Sequence, residues 1–218
     1  MQVLHKIETP DTGSLSEDRV KSFFLNIISS VELHARWLNT VSMMEHMGSR
    51  KIHLSQTGSA ISEMILRHAS EEARHAAFFK KAAIKISPNY CKSYEPGYLL
   101  SGGSAFLYFQ RLDATIHKSL KAESNLAGSK KYLCYLYVTK MIEERAEMLY
   151  GIYQEVLESS RSPISLKGII KEEEGHLREM DEVLADIDPN FESRSDDFRK
   201  IEERLFHKFF TRLEESMI

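Results

Sequence analysis

The chain has 218 residues, 42% of them hydrophobic and 28% charged, with a formal net charge of −3; this is enough apolar mass for one sizeable core and gives no excess of cations to recruit a polyanion. Its two cysteines form no Cys-x-x-Cys pair, which excludes a disulfide framework, a rubredoxin-type iron site and a zinc knuckle. No window approaches the roughly 18 consecutive apolar residues of a membrane span, and the N-terminus lacks the apolar run of a signal peptide, so the expectation is a soluble cytoplasmic protein.

Residues 1–14 are polar, contain Pro10 and Gly13, and read as a flexible lead. Ser14 or Ser16 caps a first long helix, with Glu17 and Asp18 in its opening turn, expected to run to about Met47 and stop at Gly48-Ser49. On that helix Glu32 shares a face with Leu25, Ile28, Ala35 and Met43, which makes it a candidate inward carboxylate; the competing reading is a surface pair with Arg36, one turn on. A second helix, from about Gln56 to Ile86, ends before Pro88. At about 100° per residue, Ile61, Ile65, Ala69, Ala76, Phe79 and Ala83 fall on the side of Glu72, which stands at the centre of an apolar stripe with His75 one turn on. His68 lies on the same side and reads as core or as support for a neighbour rather than as a ligand.

The stretch 88–103, with Pro96-Gly97 and Gly102-Gly103, reads as a loop. A third helix over about Ser104–Asn125 carries Phe106, Phe109, Leu112 and Ile116 on one side, the first three of which read with Phe79 as core or as the wall of an apolar channel, and Gly128 breaks it. The fourth helix, Lys130 to Ser159, has an apolar stripe of Tyr135, Ile142, Ala146, Leu149, Tyr153 and Val156. Glu143 lies about 100° from the centre of that stripe, Glu147 further out and Glu144 opposite; Glu143 is the preferred inward carboxylate, with Glu144 and Glu147 left open. The fifth helix, ending at Asp188-Pro189, repeats the device of the second. Glu173 is centred on a stripe of Leu166, Ile169, Ile170, Leu177, Met180, Val183, Leu184 and Ile187, and His176 lies about 60° to one side. A last amphipathic helix, roughly Asp196 to Glu215, carries Ile201, Leu205, Phe209 and Leu213 and is expected to pack across the bundle or onto another subunit. No β-type alternation persists, so the chain reads as all-α, with a bundle over 15–190 and the last helix over 191–218.

A buried carboxylate is costly unless neutralised or partnered. Two helices that each aim Glu-x-x-His inward, with a glutamate from each of two others, carry the donor set of a two-metal carboxylate centre. The pattern Glu32…Glu72-x-x-His75…Glu143…Glu173-x-x-His176 resembles the ferritin-like di-iron carboxylate superfamily over about residues 20–187. Glu32-Leu33-His34-Ala35-Arg36 is similar to the first-helix pattern of rubrerythrins. Ile142-Glu143 followed by Ala146, Tyr150 and Tyr153 is similar to aldehyde-deformylating oxygenases, and Ile142-Glu143-Glu144-Arg145 to the tRNA hydroxylase branch.

The resemblance implies a ferritin-like four-helix bundle with a crossover helix and a C-terminal extra helix. It implies two iron ions, or iron and manganese, or manganese alone. Glu72 and Glu173 would bridge them, Glu32 and Glu143 would be terminal ligands, and His75 and His176 would bind one ion each. Arg36, Arg74 and Arg178 are candidates to anchor ligating carboxylates, and the competing, favoured reading of each is an ordinary helix-surface ion pair. The implied activity is that of an oxygenase or oxidase acting on a small organic substrate with dioxygen. Electrons would come from an external donor, since no flavin, Rossmann or rubredoxin signature is present. The alternative is rubrerythrin- or bacterioferritin-like iron oxidation or peroxide detoxification. A homodimer fits this reading; nucleic acid and membrane are not expected partners. The N-oxygenase branch has a further histidine four residues before the last glutamate, where this chain has Ile169, so ligand sets built on that histidine do not carry over.

Overall fold

The computed structural model describes residues 15–55, 61–123 and 130–218. The lead expected over 1–14, the helix start at Gln56 and the break at Gly128 lie outside the described residues. Seven α-helices make up the described chain: α1 (Glu17–Ser29), α2 (Val31–Ser55), α3 (Glu63–Ile86), α4 (Gly102–Ala122), α5 (Lys130–Ser159), α6 (Lys167–Ile187) and α7 (Phe191–Glu215). There is no strand among the described residues, so the protein is an all-helical bundle. No helix among them is long and apolar enough to cross a membrane.

The single first helix expected up to Met47 is instead two helices. Ser30 is extended, at φ −118° and ψ 122°, and its Oγ accepts the Leu33 N–H at 3.3 Å. The serine side chain offers the backbone an alternative to the helical ladder, and one helix ends where the next is capped. The second helix then continues through Gly48 and Ser49, where a stop was expected. Two serines explain the continuation: Ser42 Oγ donates to Ala76 O and Ser49 Oγ to Ala69 O, each at 2.7 Å. Small residues on α2 bring it close against α3, and this packing outweighs the roughly 1 kcal/mol that an interior glycine costs a helix. A second departure lies at Gly102-Gly103, which open α4 instead of ending a loop. Ser101 turns the chain through the left-handed region at φ 51°, and a Cβ on Gly102 would meet Leu99 Cδ1 at 2.4 Å. The bare glycine is what lets Leu99 fold under the helix start.

The pairs α2–α3 and α5–α6 form the body of the bundle. On one flank, α1 packs on α2 and α5, where Phe24 stacks on Tyr153 and contacts Trp37 edge-on. On the other, α4 and α7 pack together through Tyr108, Phe206 and Phe209. The last helix thus covers its own chain's bundle. Beneath it a charged network is shut in: Arg145 pairs with the buried Glu202 at 2.5 Å, and Tyr108 donates to the same carboxylate at 2.6 Å.

Candidate metal centre

Four helices each send acidic side chains into the bundle interior. Glu45 comes from α2, Glu72 and His75 from α3, Glu143 from α5, and Glu173 and His176 from α6. All six are more than nine-tenths buried. Their donor atoms form two overlapping groups, Glu45, Glu72, His75 and Glu173 on one side and Glu72, Glu143, Glu173 and His176 on the other, with the atoms of each group within 4.8 Å of one another. Glu72 and Glu173 belong to both. Such groups of carboxylates and imidazoles could hold metal ions.

Each histidine is held from behind. Nδ1 of His75 lies 3.1 Å from Glu173 Oε1, and Nδ1 of His176 lies 3.2 Å from Glu173 Oε2. The outer nitrogens reach carboxylates of the opposite helix: His75 Nε2 donates to Glu172 and His176 Nε2 to Glu71, both at 2.7 Å. Donation from Nε2 leaves the lone pair of the neutral ring on Nδ1, facing inward. Arg74 in turn holds Glu172 at 3.0 Å.

Burial and mutual repulsion dominate the electrostatics. Burial, reinforced by the charges of Glu45 and Glu173, pushes the Glu72 carboxyl well above its ordinary range. Burial also raises Glu45, and it raises Glu143 to about 8 against the pull of His176. Glu173 is the exception: burial opposes its charge too, but His176 and His75 hold it down at about 2. Burial resists charge on the imidazoles as well, yet the carboxylates raise His75 to about 9 and His176 to about 11. Protons here occupy positions that cations would compete for.

Three local details fit the cluster. Neither oxygen of Glu143 has a hydrogen-bond partner among the described residues. A Cβ on Gly48 would sit 3.0 Å from Glu72 Oε2, so the glycine makes room for that carboxylate. Tyr150 donates its hydroxyl to Glu45. Beside the carboxylates lies a cavity of about 80 Å³, lined by Glu45, Glu72, Glu143 and Glu173 and walled chiefly by apolar side chains, among them Val41, Phe109, Ile142, Leu149 and Phe209.

Of the residues expected from sequence, Glu72, His75, Glu143, Glu173 and His176 come together, and Glu32 does not. Glu32 stands in the first turn of α2 with its side chain 47% exposed, 3.3 Å from Arg36. Glu45 occupies the place expected for it, 13 residues along α2, or roughly 20 Å at the helical rise. The signal for Glu45 was present: Val41, Glu45 and Ile52 share a helical face with Gly48. On α5 neither alternative to Glu143 joins the clustered donors: Glu144 pairs with Lys140 and Arg199, and Glu147 stands outside the groups.

None of the three arginines reaches an inner carboxylate: Arg36 donates to Leu99 O, Arg74 binds outer acids and Arg178 is exposed. Phe109 lines the cavity, Phe106 is exposed, and Leu112 and Phe79 are core. Gly175, between Glu173 and His176, reads from sequence as permitting a neighbouring helix to pack closely, but a Cβ there would meet only the end of Arg178 at 4.0 Å. No family model, curated protein or solved structure matches this chain in comparisons with all three.

Proposed function

We propose that the chain is a ferritin-like di-metal carboxylate protein that activates dioxygen to oxidise or oxygenate a small organic substrate. One observation carries this reading: six buried donors from four helices meet in two groups that share Glu72 and Glu173. The residues fit two divalent ions. Four carboxylates offset the charge, both oxygens of Glu143 lack a hydrogen-bond partner among the described residues, and Gly48 leaves Glu72 room to move. Glu72 and Glu173 would be held in common by both ions, Glu45 and His75 would hold one, and Glu143 and His176 the other. Bound iron would supply the one-electron chemistry that dioxygen reduction requires.

The chain's own residues set the conditions for that chemistry. Glu172 and Glu71 fix the two imidazoles, and Tyr150 orients Glu45. The apolar walls exclude water and accept apolar groups. At about 80 Å³ the cavity is smaller than the roughly 150 Å³ that holds benzene in an engineered core. Dioxygen or a short apolar part of a substrate fits there, and a whole long chain does not. A second reading draws on the partly exposed Glu71 and Glu172, which give cations a polar approach from solvent. On that reading iron or peroxide is itself the substrate.

Elemental analysis of protein from iron-supplemented cells, beside Glu72→Ala and Glu173→Ala, tests both readings. About two metals per chain, lost in both variants, is the expected result. No metal after anaerobic ferrous loading would sink the proposal. Dioxygen consumption that follows added ferrous ion, and is unmoved by any apolar organic compound, would favour the second reading.

A further inference from the structure

The facing surfaces of α3 and α6 are nearly symmetric about the cluster. Glu71-Glu72-x-x-His75 on one helix answers position by position to Glu172-Glu173-x-x-His176 on the other. Each outer glutamate crosses the gap to hold the other helix's histidine, so Glu71 binds His176 and Glu172 binds His75. One further rung breaks the symmetry. His68 Nε2 pairs with Glu179 Oε2 at 3.1 Å, and the positions that answer to these two residues are Ile169 and Phe78. Ile169 and Phe78 instead line a shallow surface depression beside His75 and Glu172. The extra imidazole exists on one half only.

His68 repeats the geometry of the other two histidines. It is fully buried, its Nε2 is engaged by a carboxylate of α6 that reaches solvent, and its Nδ1 is buried without a hydrogen-bond partner. Glu179 is itself clamped by Arg67, so the ring is fixed from outside. A nitrogen of His68 lies within 4.8 Å of donor atoms of both His176 and Glu143, and its ring centroid is 4.0 Å from that of His176. Neither oxygen of Glu143 has a hydrogen-bond partner among the described residues, and Oε1 lies 3.6 Å from His176 Nδ1. Two buried groups that come within 4.8 Å of one another, each with a polar atom that lacks a hydrogen-bond partner and each of a donor type that suits a cation, call for a ligand there.

We infer that His68 is a seventh metal ligand, binding through Nδ1 the same ion as Glu143 and His176, and that Glu179 positions it through Nε2. The inference rests on the di-metal reading and adds to it that the two metal positions are unequal. The ion beside His176 has two imidazoles, and the ion beside His75 has one. The first position therefore fills first and empties last, and it is the one better suited to nitrogen-preferring divalent metals. The chain is thereby equipped to hold two different metals, or to retain one ion while the other exchanges.

Anaerobic titration of the metal-free full-length protein with cobalt(II), followed by visible absorption and calorimetry, tests this. The wild type is expected to take up two ions in two resolved steps. In His68→Gln the tighter step should weaken by about tenfold or more, with a changed absorption band for the first cobalt bound and an unmoved second step. Glu179→Gln should weaken the same step by about tenfold through the loss of orientation. The carboxylate of Glu179 is partly exposed, so that variant carries the test if the buried substitution prevents folding. Two cobalt ions bound with the wild-type steps and spectrum in both variants would overturn the role of His68 and leave the di-metal reading standing. A wild type that binds no cobalt would overturn both.

Discussion

Glu32 and Glu45 are the same side chain on the same helix, and their surroundings give them opposite roles. Glu32 meets water and Arg36; Glu45 meets Tyr150, Glu72 and the cavity. Glu32→Ala should therefore leave metal content unchanged and alter stability by less than about 1 kcal/mol, the range of an exposed ion pair. Glu45→Ala should lower the metal bound per chain by weakening the position beside His75, and the same elemental analysis reads both. Gly48→Ala makes a sharper test because its two effects oppose one another. Alanine favours the helix by up to about 1 kcal/mol, while its Cβ presses on Glu72 Oε2 and takes away the room that carboxylate has. Denaturant unfolding of the metal-free variant should show no loss of stability, and metal affinity should fall. Five of the six clustered residues were legible from the sequence because a charged residue in the middle of an apolar stripe is an anomaly that periodicity exposes. Glu45 obeys the same rule. It was missed because Gly48 and Ser49 read as a helix end, which removed the lower half of its stripe.

At the scale of elements, helix type and approximate extent followed from periodicity for α3, α5 and α6, and the two departures along the expected first helix have a shared cause. Ser30, Ser42 and Ser49 each form a hydrogen bond that the local sequence does not announce: Ser30 to its own backbone, Ser42 and Ser49 to carbonyls of α3. Only the tertiary arrangement decides whether a serine caps, ends or joins a helix. The last helix was legible as amphipathic but not as a cover, since its partner face on α4 is far away in sequence. Its attachment rests on apolar packing and on Glu202, which is buried and takes both Arg145 and Tyr108. Glu202→Ala would leave Arg145 beneath α7 without its carboxylate and Tyr108 without an acceptor. Loss of one partner from a buried pair costs about 3–5 kcal/mol, and the partly exposed Arg145 places the expected loss near 3. Chemical denaturation of the metal-free protein measures it. The Glu202 carboxylate is not one of the clustered donors, so metal stoichiometry in the folded variant should stay that of the wild type.

For the molecule as a whole, the metal-free centre is a place where stability has been given up. Between the ordinary carboxylate range and its raised value of about 8, Glu143 carries a proton in the folded chain that the unfolded chain has lost. Glu72 and Glu45 are displaced in the same direction, chiefly by burial. His75 and His176, raised to about 9 and 11, extend the trend above the ordinary imidazole range. The folded state therefore binds more protons than the unfolded state across neutral pH, and the stability of the metal-free protein must fall as pH rises. Glu173, held at about 2, and His34 and His68, lowered by burial, act oppositely, but the contribution of Glu173 is complete above the ordinary carboxylate range and those of the two histidines above the ordinary imidazole range. Cations bound as proposed would reverse the slope. Binding requires the same carboxylates and imidazoles to release their protons, so affinity grows with pH, and the metal stabilises only the folded chain. Ligand at a hundred times its dissociation constant adds about 2.7 kcal/mol. Thermal melts at intervals from pH 6 to 8.5 should show the metal-free Tm falling while the increment from added divalent metal widens. Glu143→Gln should flatten the metal-free slope, because it removes a titrating group while keeping the shape of the side chain. A metal-free Tm that climbs through this range, or a metal increment that shrinks, would show that the buried acids are not the groups that bind the cation.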